Sequence, residues 1–230
     1  MLAINFFRNA KSQLSLCFIV TGIFIFGIQS VSAYEIVTNT SEVPGLVQEI
    51  AVPIPNEQWY LGTLTEFQQM YSLTFREETK AVLSLRVPSN VDIEAMRPSL
   101  LIVRLVDSQG VEEVARMEFD EQAWQKEKDS LSGLSFYTPE PLVLELPEGE
   151  YRIEISAANT EGKYMLVIGN GSKDQSRTSA WRTVRELYEF YETPAILMVR
   201  SKPVYYPLGV IIFLGLLIVT WRNRERLLVR

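Results

Sequence analysis

Histidine is absent from the chain, and cysteine occurs once, at Cys17. These two residue types supply the bases, nucleophiles and soft ligands of most catalytic triads, thiol redox centres and zinc, copper or haem sites. The sequence also has no glycine-rich phosphate loop and no dinucleotide-binding fingerprint. The chemistry that remains is that of carboxylates or of serine–lysine pairs, and we predict that the protein is not an enzyme.

The N-terminus has the three parts of a secretory signal. Arg8 and Lys11 precede an apolar run of about 15 residues, 14–28, and a V-S-A motif ends at Ala33. The run is short for a hydrocarbon core of roughly 30 Å. We therefore predict a signal peptide over residues 1–33 that is cleaved after Ala33, with an uncleaved anchor as the alternative. The domain that follows has no cysteine and so no disulfide, which favours a prokaryotic source.

A second apolar stretch, residues 204–221, lies near the C-terminus. As a helix it would be roughly 27 Å long, enough to span a membrane. Tyr205 and Tyr206 at one end and Trp221 at the other match the aromatic belts of membrane interfaces. The tail, residues 222–230, holds four arginines and one glutamate. By the positive-inside rule we predict a single-pass protein of the cell membrane with this tail in the cytoplasm.

Negative charge dominates the segment between the two apolar stretches, which carries 27 acidic and 16 basic residues. Such a surface disfavours nucleic acid or anionic lipid as the main partner. We expect the segment to be periplasmic or extracellular.

Residues 34–175 show the pattern of a mainly β domain. Residues alternate between apolar and polar in 81–87 and in 151–155, as in antiparallel strands with one buried face. Turn signals stand at 107–110, 147–149 and 159–162. We predict an antiparallel, jelly-roll-like β-sandwich. Its predicted strands are 46–52, 58–64, 70–75, 81–87, 100–106, 111–118, 142–146, 151–156 and 163–168.

Two helices are predicted around these strands. Residues 120–131 are rich in helix formers and charge, with Trp124 as the one anchor to the core. A membrane-proximal helix and linker occupy 176–203. Four side chains of this helix fall on one stripe and form the candidate interaction surface: Trp181, Val184, Tyr188 and Tyr191. The stripe is expected to pack on the sandwich, and contact with the bilayer or with a partner helix are the alternatives.

The segment 146–156, followed by 161–169, resembles the closing hairpin of prepeptidase-C-terminal-like domains. These jelly-roll β-sandwiches end with two strands that each begin near a glycine and a tyrosine, which correspond here to Gly149 with Tyr151 and Gly162 with Tyr164. Two upstream elements, 59–62 and 81–88, resemble uncharacterised prokaryotic membrane-anchored proteins. The resemblance covers about two-thirds of the external domain. It implies the fold and a binding or stabilising role, not a reaction.

Carboxylates are the main remaining candidates for chemistry. Glycosidases need two of them about 5 to 10 Å apart, and the sequence offers two acidic clusters: Asp107, Glu112 and Glu113, and Asp120 with Glu121. Solvation and the helix dipole explain acids at these places equally well. Serine–lysine chemistry would draw on Lys126, Lys128, Lys163 or Lys173, but none lies in an S-x-x-K motif.

No cofactor is expected. Asn170 and Asp174 are the candidate calcium ligands, although Lys173 lies between them and the spacing matches no established calcium loop. Trp59 and Tyr60 could stack on a sugar or a peptide, with a place in the core as the alternative. We expect a non-enzymatic binding or accessory module that serves an envelope protein. A carboxylate-dependent, carbohydrate-active enzyme and a structural envelope protein are the other hypotheses.

Overall fold

Two mixed β-sheets form the body of the protein. The computed structural model describes residues 35–38, 46–52, 57–65, 67–106, 110–158, 161–169 and 180–223. The first sheet contains β1 (Glu35–Thr38), β3 (Gln58–Leu64), β5 (Thr79–Pro88), β8 (Gln125–Lys128), β9 (Ser135–Thr138), β10 (Leu142–Leu146) and β12 (Gly162–Gly169). The second contains β2 (Val47–Glu49), β4 (Gln69–Phe75), β6 (Pro98–Val106), β7 (Gly110–Met117) and β11 (Gly149–Ala157).

The strand order is β1-β3-β12-β5-β9-β8 in the first sheet, with β10 also on β5, and β2-β4-β11-β6-β7 in the second. Most neighbours are antiparallel, as predicted. The pairs β1–β3 and β2–β4, at one edge of each sheet, are parallel, so both sheets are mixed. The short first strands run alongside their neighbours because long connections, not hairpins, separate them in the chain.

The main core lies between the two sheets. Leu83 and Leu85 of β5 and Ile153 and Ile155 of β11 are at most 2% exposed and belong to one cluster. Their alternation with outward-facing residues is the period of two that the sequence shows. Burial of each such side chain stabilises the fold by about 1.5–3 kcal/mol.

The strands β11 and β12 do not form the closing hairpin that the resemblance suggested. β11 pairs with β4 and β6 in the second sheet, whereas β12 pairs with β3 and β5 in the first. The chain between them therefore crosses from one sheet to the other. The Ala158 amide donates to the carbonyl oxygen of Met96 at 3.0 Å at the start of this crossing.

The helix predicted over residues 120–131 is absent, and this prediction is wrong. Residues 121–123 form a turn, with the Gln122 amide bonded to the Asp120 carboxylate at 3.1 Å. β8 follows and pairs with β9. Strand pairing overrides the helix propensity of this charged segment, which is a weak preference per residue. Trp124 is 6% exposed within the main core, as expected of an anchor. The described short helix, α1 (Ile93–Met96), begins instead after the capping residue Asp92.

Three elements follow the last strand: α2 (Ala180–Phe190), a 3-10 segment (Ala195–Arg200) and α3 (Lys202–Arg222). Residues Lys202–Thr220 have a mean hydropathy of 2.0, and this is the one helix among the described residues that is long and apolar enough to cross a membrane. Residues Ser32–Lys202 form one compact unit, and the chain from Pro203 onward belongs to another. The predicted signal peptide, the end of the basic tail and the first residues of the predicted membrane-proximal segment, 176–179, lie outside the described residues.

Candidate functional site

The predicted interaction stripe on α2 is mostly buried. Val184, Tyr188 and Tyr191 are 0%, 2% and 8% exposed, whereas Trp181 is 50% exposed. Packing on the sandwich, the default expectation, therefore describes three of the four side chains. They are not available to a partner in this structure, and Trp181 alone remains accessible.

The helix α2 covers the outer face of the first sheet. A second apolar cluster lies beneath it, to which both α2 and the sheet contribute, and it consists of Trp59, Leu61, Phe136, Met165, Val167, Leu187 and Tyr191. The Arg86 guanidinium lies 5.6 Å from the centre of the Trp59 ring, within the range of a cation–π contact. Tyr60, on the opposite face of β3, is in the main core. Trp59 and Tyr60 thus serve packing rather than a stacking platform.

The end of α2 is fixed by an ion pair. Lys163 of β12 donates to the carbonyl oxygen of Phe190 at 2.8 Å and pairs with the Glu192 carboxylate. This hydrogen bond holds the pKa of Glu192 below its usual value. Glu192 adopts a left-handed conformation with φ of 52°, which ends the helix before Pro194.

A turn at residues 129–134 holds the segment that follows α2. The Asp129 carboxylate accepts hydrogen bonds from the amide and the hydroxyl of Ser132, at 2.7 and 2.6 Å. Tyr188 donates to the carbonyl oxygens of Ser132, at 3.1 Å, and Leu197, at 2.9 Å. One buried hydroxyl therefore joins α2, this turn and the 3-10 segment.

The same turn holds the chain up to the start of α3. The Lys202 amide donates to the Leu131 carbonyl oxygen at 3.0 Å. Gly133 has φ of 75°, and a Cβ there would lie 2.7 Å from the carbonyl oxygen of Arg200. Glycine is required on both counts. We call the turn, Tyr188 and the bonded residues of the 3-10 segment the clamp. Because of the clamp, the compact domain extends without a free linker to the first residue of α3.

A cleft of about 290 Å³ adjoins the clamp. It is lined by residues 88–90, 134–136 and 191–194 and by Leu197. Its titratable residues are Tyr191, whose pKa is raised by burial, and Glu192, whose pKa is lowered. The Tyr191 hydroxyl is buried and makes no hydrogen bond within the described chain. No carboxyl group with a raised pKa lies in the described lining of this cleft, and its raised pKa keeps Tyr191 in the neutral phenol form at neutral pH.

The acidic candidates are surface residues where they are described. Glu113 forms a two-bond pair with Arg116, which holds the pKa of its carboxyl below its usual value. Asp120 and Glu121 are exposed in the turn before β8. Lys126 and Lys128 are exposed on the edge strand β8. Among the described residues, no group of three or more acidic, histidine or cysteine side chains could hold a metal ion. Asp107, Asn170, Lys173 and Asp174 lie outside the described residues.

The feature that sequence reasoning missed is the 3-10 segment. Its sequence, AILMVR, is apolar, yet Ile196 is 78% exposed and Val199 is 39% exposed. The sequence signal for it was this apolar run shortly before the predicted membrane helix. The aromatic stripe of α2 was the stronger pattern in the same region and was chosen instead as the candidate surface.

No family model and no curated protein sequence matches the chain. Among solved structures, it is similar to the pre-peptidase C-terminal domain of a collagenase from Bacillus anthracis, with a TM-score of 0.37 at 12% identity over 56% of this chain and 99% of that one. It is also similar to the mitogen of Yersinia pseudotuberculosis, with a TM-score of 0.35 at 17% identity over 54% of this chain and 93% of that one. A third similarity is to the surface-associated copper-binding protein CorA of Methylomicrobium album BG8, with a TM-score of 0.30 at 8% identity over 58% and 100% of the two chains. The two sheets of the chain itself confirm the predicted β-sandwich, and the first of these neighbours belongs to the family that the sequence resembles.

Proposed function

We propose that the protein is a non-enzymatic accessory or binding module of the cell envelope. The helix α3 holds it in the cytoplasmic membrane, with the β-sandwich outside and the arginine-rich tail inside. In this role the domain serves another membrane or envelope protein as its partner.

The clamp is the observation that supports this proposal best. Hydrogen bonds of the domain reach Lys202, where the apolar helix begins. A flexible linker would let a tethered domain sample a wide volume above the membrane. A domain without such a linker stays close to the bilayer that holds α3, where it can meet other membrane proteins.

The topology is tested with single cysteines in full-length protein that carries Cys17→Ser. We expect a membrane-impermeant maleimide to label Lys126→Cys in intact spheroplasts, because β8 is exposed on the external domain. Asn223→Cys, beyond α3, should be labelled only after the membrane is permeabilised. Labelling of both sites in intact spheroplasts, or of neither, contradicts the proposed orientation.

The accessory role is tested by mild-detergent extraction at native expression. We expect the chain to migrate in a complex larger than its own mass and to co-purify with an envelope protein. A chain that migrates strictly alone, with no co-purifying protein, contradicts the role even if the topology holds.

A further inference from the structure

The exposed side of the 3-10 segment is apolar. In a 3-10 helix, residues i and i+3 lie above one another, so Ile196 and Val199 share one face. They are 78% and 39% exposed. The adjacent Leu197 and Met198 are partly buried, and the carbonyl oxygen of Leu197 accepts the Tyr188 hydrogen bond. The segment therefore packs one side on the domain and presents two branched apolar side chains on the other.

The position of this face along the chain is fixed by covalent geometry. Ser201 alone separates the segment from α3. Consecutive Cα atoms are about 3.8 Å apart, so the Cα of Val199 lies within about 11 Å of that of Lys202. The headgroup layer on each side of a bilayer is roughly 5–8 Å thick. A membrane that takes up α3 from Lys202 onward must therefore have Val199 in or beside its interfacial layer.

The positive charge next to the 3-10 segment is also expected of a chain at a membrane interface. Arg200 and Lys202 flank Ser201, and neither forms an ion pair with the described residues. Cations at this depth lie at the level of lipid phosphates, while apolar side chains enter the boundary of the acyl chains. The domain as a whole is acidic and would not seek an anionic surface, so the contact is local to this segment.

We propose that Ile196 and Val199 insert into the interfacial layer of the phospholipid bilayer, with Arg200 and Lys202 beside the phosphates. The segment is thus a lipid contact of the domain, and the hydrogen bonds of the clamp connect the segment to the sandwich. This inference rests on the proposed anchoring by α3. Three of the four side chains of the α2 stripe are buried, so the 3-10 segment and not this stripe is the proposed lipid contact.

The test uses the full chain with Cys17→Ser, reconstituted in phosphatidylcholine vesicles that contain a lipid with a quencher near its headgroup. Single cysteines at Ile196, Val199, Val143 and Leu216 carry an environment-sensitive fluorophore. Val143 is the matched control, because it is also an exposed apolar residue but lies far from the 3-10 segment. It pairs with Val82 on β5, six residues before Pro88, where the strand ends at the cleft. That separation is roughly 20 Å along the strand.

We expect the probes at Ile196→Cys and Val199→Cys to lose at least about half of their fluorescence, and the probe at Val143→Cys to lose little. A quencher deep in the acyl chains should act most strongly on Leu216→Cys, which lies within the apolar stretch of α3. If that probe is quenched while those at positions 196 and 199 behave like the one at 143, the lipid contact is wrong and the anchoring stands. If the probe at 216 is not quenched either, the anchoring fails and the inference fails with it.

Discussion

At the scale of single residues, Tyr164 joins the two sheets. Its hydroxyl lies 2.6 Å from that of Tyr71, which belongs to the second sheet, and both side chains are fully buried. Its ring lies over Gly62 on the neighbouring strand, where a Cβ would come within 2.4 Å of the tyrosine oxygen. A glycine in a strand marks such a close approach. The tyrosine fills the space that a side chain at 62 would otherwise take.

Burial raises the pKa of Tyr164 well above its ordinary value of about 10. The unfolded chain therefore releases this proton as the pH rises above about 10, while the folded chain retains it. The contribution of the neutral phenol to stability is complete below pH 10 and is lost above it. We expect the free energy of unfolding to fall by about 1.4 kcal/mol per pH unit more in the wild type than in Tyr164→Phe above pH 10.

Urea unfolding at several pH values between 8 and 11.5 measures this difference. Between pH 8 and 9 the difference in the free energy of unfolding between the wild type and Tyr164→Phe should be constant, at about 0.5–1.5 kcal/mol for the lost hydrogen bond. If the free energies of unfolding of the two proteins depended on pH in the same way up to pH 11.5, the pKa of Tyr164 would not differ between the folded and the unfolded chain.

At the scale of elements, α2 is part of the folded domain and not an appendage. Leu187 is 0% exposed in the cluster beneath α2, whereas Trp181 on the same helix is 50% exposed. We expect Leu187→Ala to lower the free energy of unfolding by about 2–5 kcal/mol, because it leaves a cavity. Trp181→Ala should have a clearly smaller effect, although it removes more atoms.

Denaturant unfolding of both variants in full-length protein makes the comparison. Equal losses, or a larger loss for Trp181→Ala, would mean that α2 is held in another orientation. A small loss for both would mean that α2 does not pack on the sheet.

The strands were predictable because their chemistry is local. Gln58–Leu64 and Leu142–Leu146 match their predicted bounds, since alternation and turn residues mark both ends. The sheet to which a strand belongs was not predictable. The segment after β11 reads as a hairpin turn, and whether it reverses within one sheet or crosses to the other depends on contacts such as that of Ala158 with Met96. The helix prediction for residues 120–131 was wrong for a related reason, because the pairing of β8 with β9 outweighs the local helix propensity.

At the scale of the whole molecule, the clamp holds the chain on the folded domain as far as Lys202. Gly133→Ala places a methyl group against the Arg200 carbonyl oxygen. We expect it to release the 3-10 segment while the sandwich stays folded, because local regions open at lower free energies than the whole domain. Gly110→Ala is the matched control, since Gly110 also has a positive φ, of 132°, but nothing lies within 4 Å of its Cβ position.

Hydrogen exchange measures the release at the Lys202 amide, which donates to Leu131. We expect faster exchange at Lys202 in Gly133→Ala than in Gly110→Ala, with the amides of β12 protected in both. Unchanged exchange at Lys202 would mean that Gly133 is not needed to hold the segment.

The candidate site was predictable only in its location. The sequence places an aromatic stripe and an apolar run before the membrane helix, and both belong to the site. Which of the two is exposed depends on the turn at 129–134, whose Asp129 and Ser132 lie far from it in sequence. Tyr188 has the spacing of a surface stripe but bonds two carbonyl groups in the interior. The periodicity of the sequence does not show which of the two segments is buried and which is exposed.

The strand order has a consequence for biogenesis. The central strands of the two sheets, β11 and β12, are also the last strands among the described residues. With the proposed topology, the second sheet therefore cannot be completed until β11, which ends at residue 157, has emerged from the translocation channel, and the first sheet until β12, which ends at residue 169, has emerged. The helix α3 begins only about 33 residues after β12, which is a few seconds of synthesis at roughly 5–20 residues per second. With the proposed topology, folding and lateral release into the lipid almost coincide, and the nascent domain completes its fold at the membrane surface where it will act.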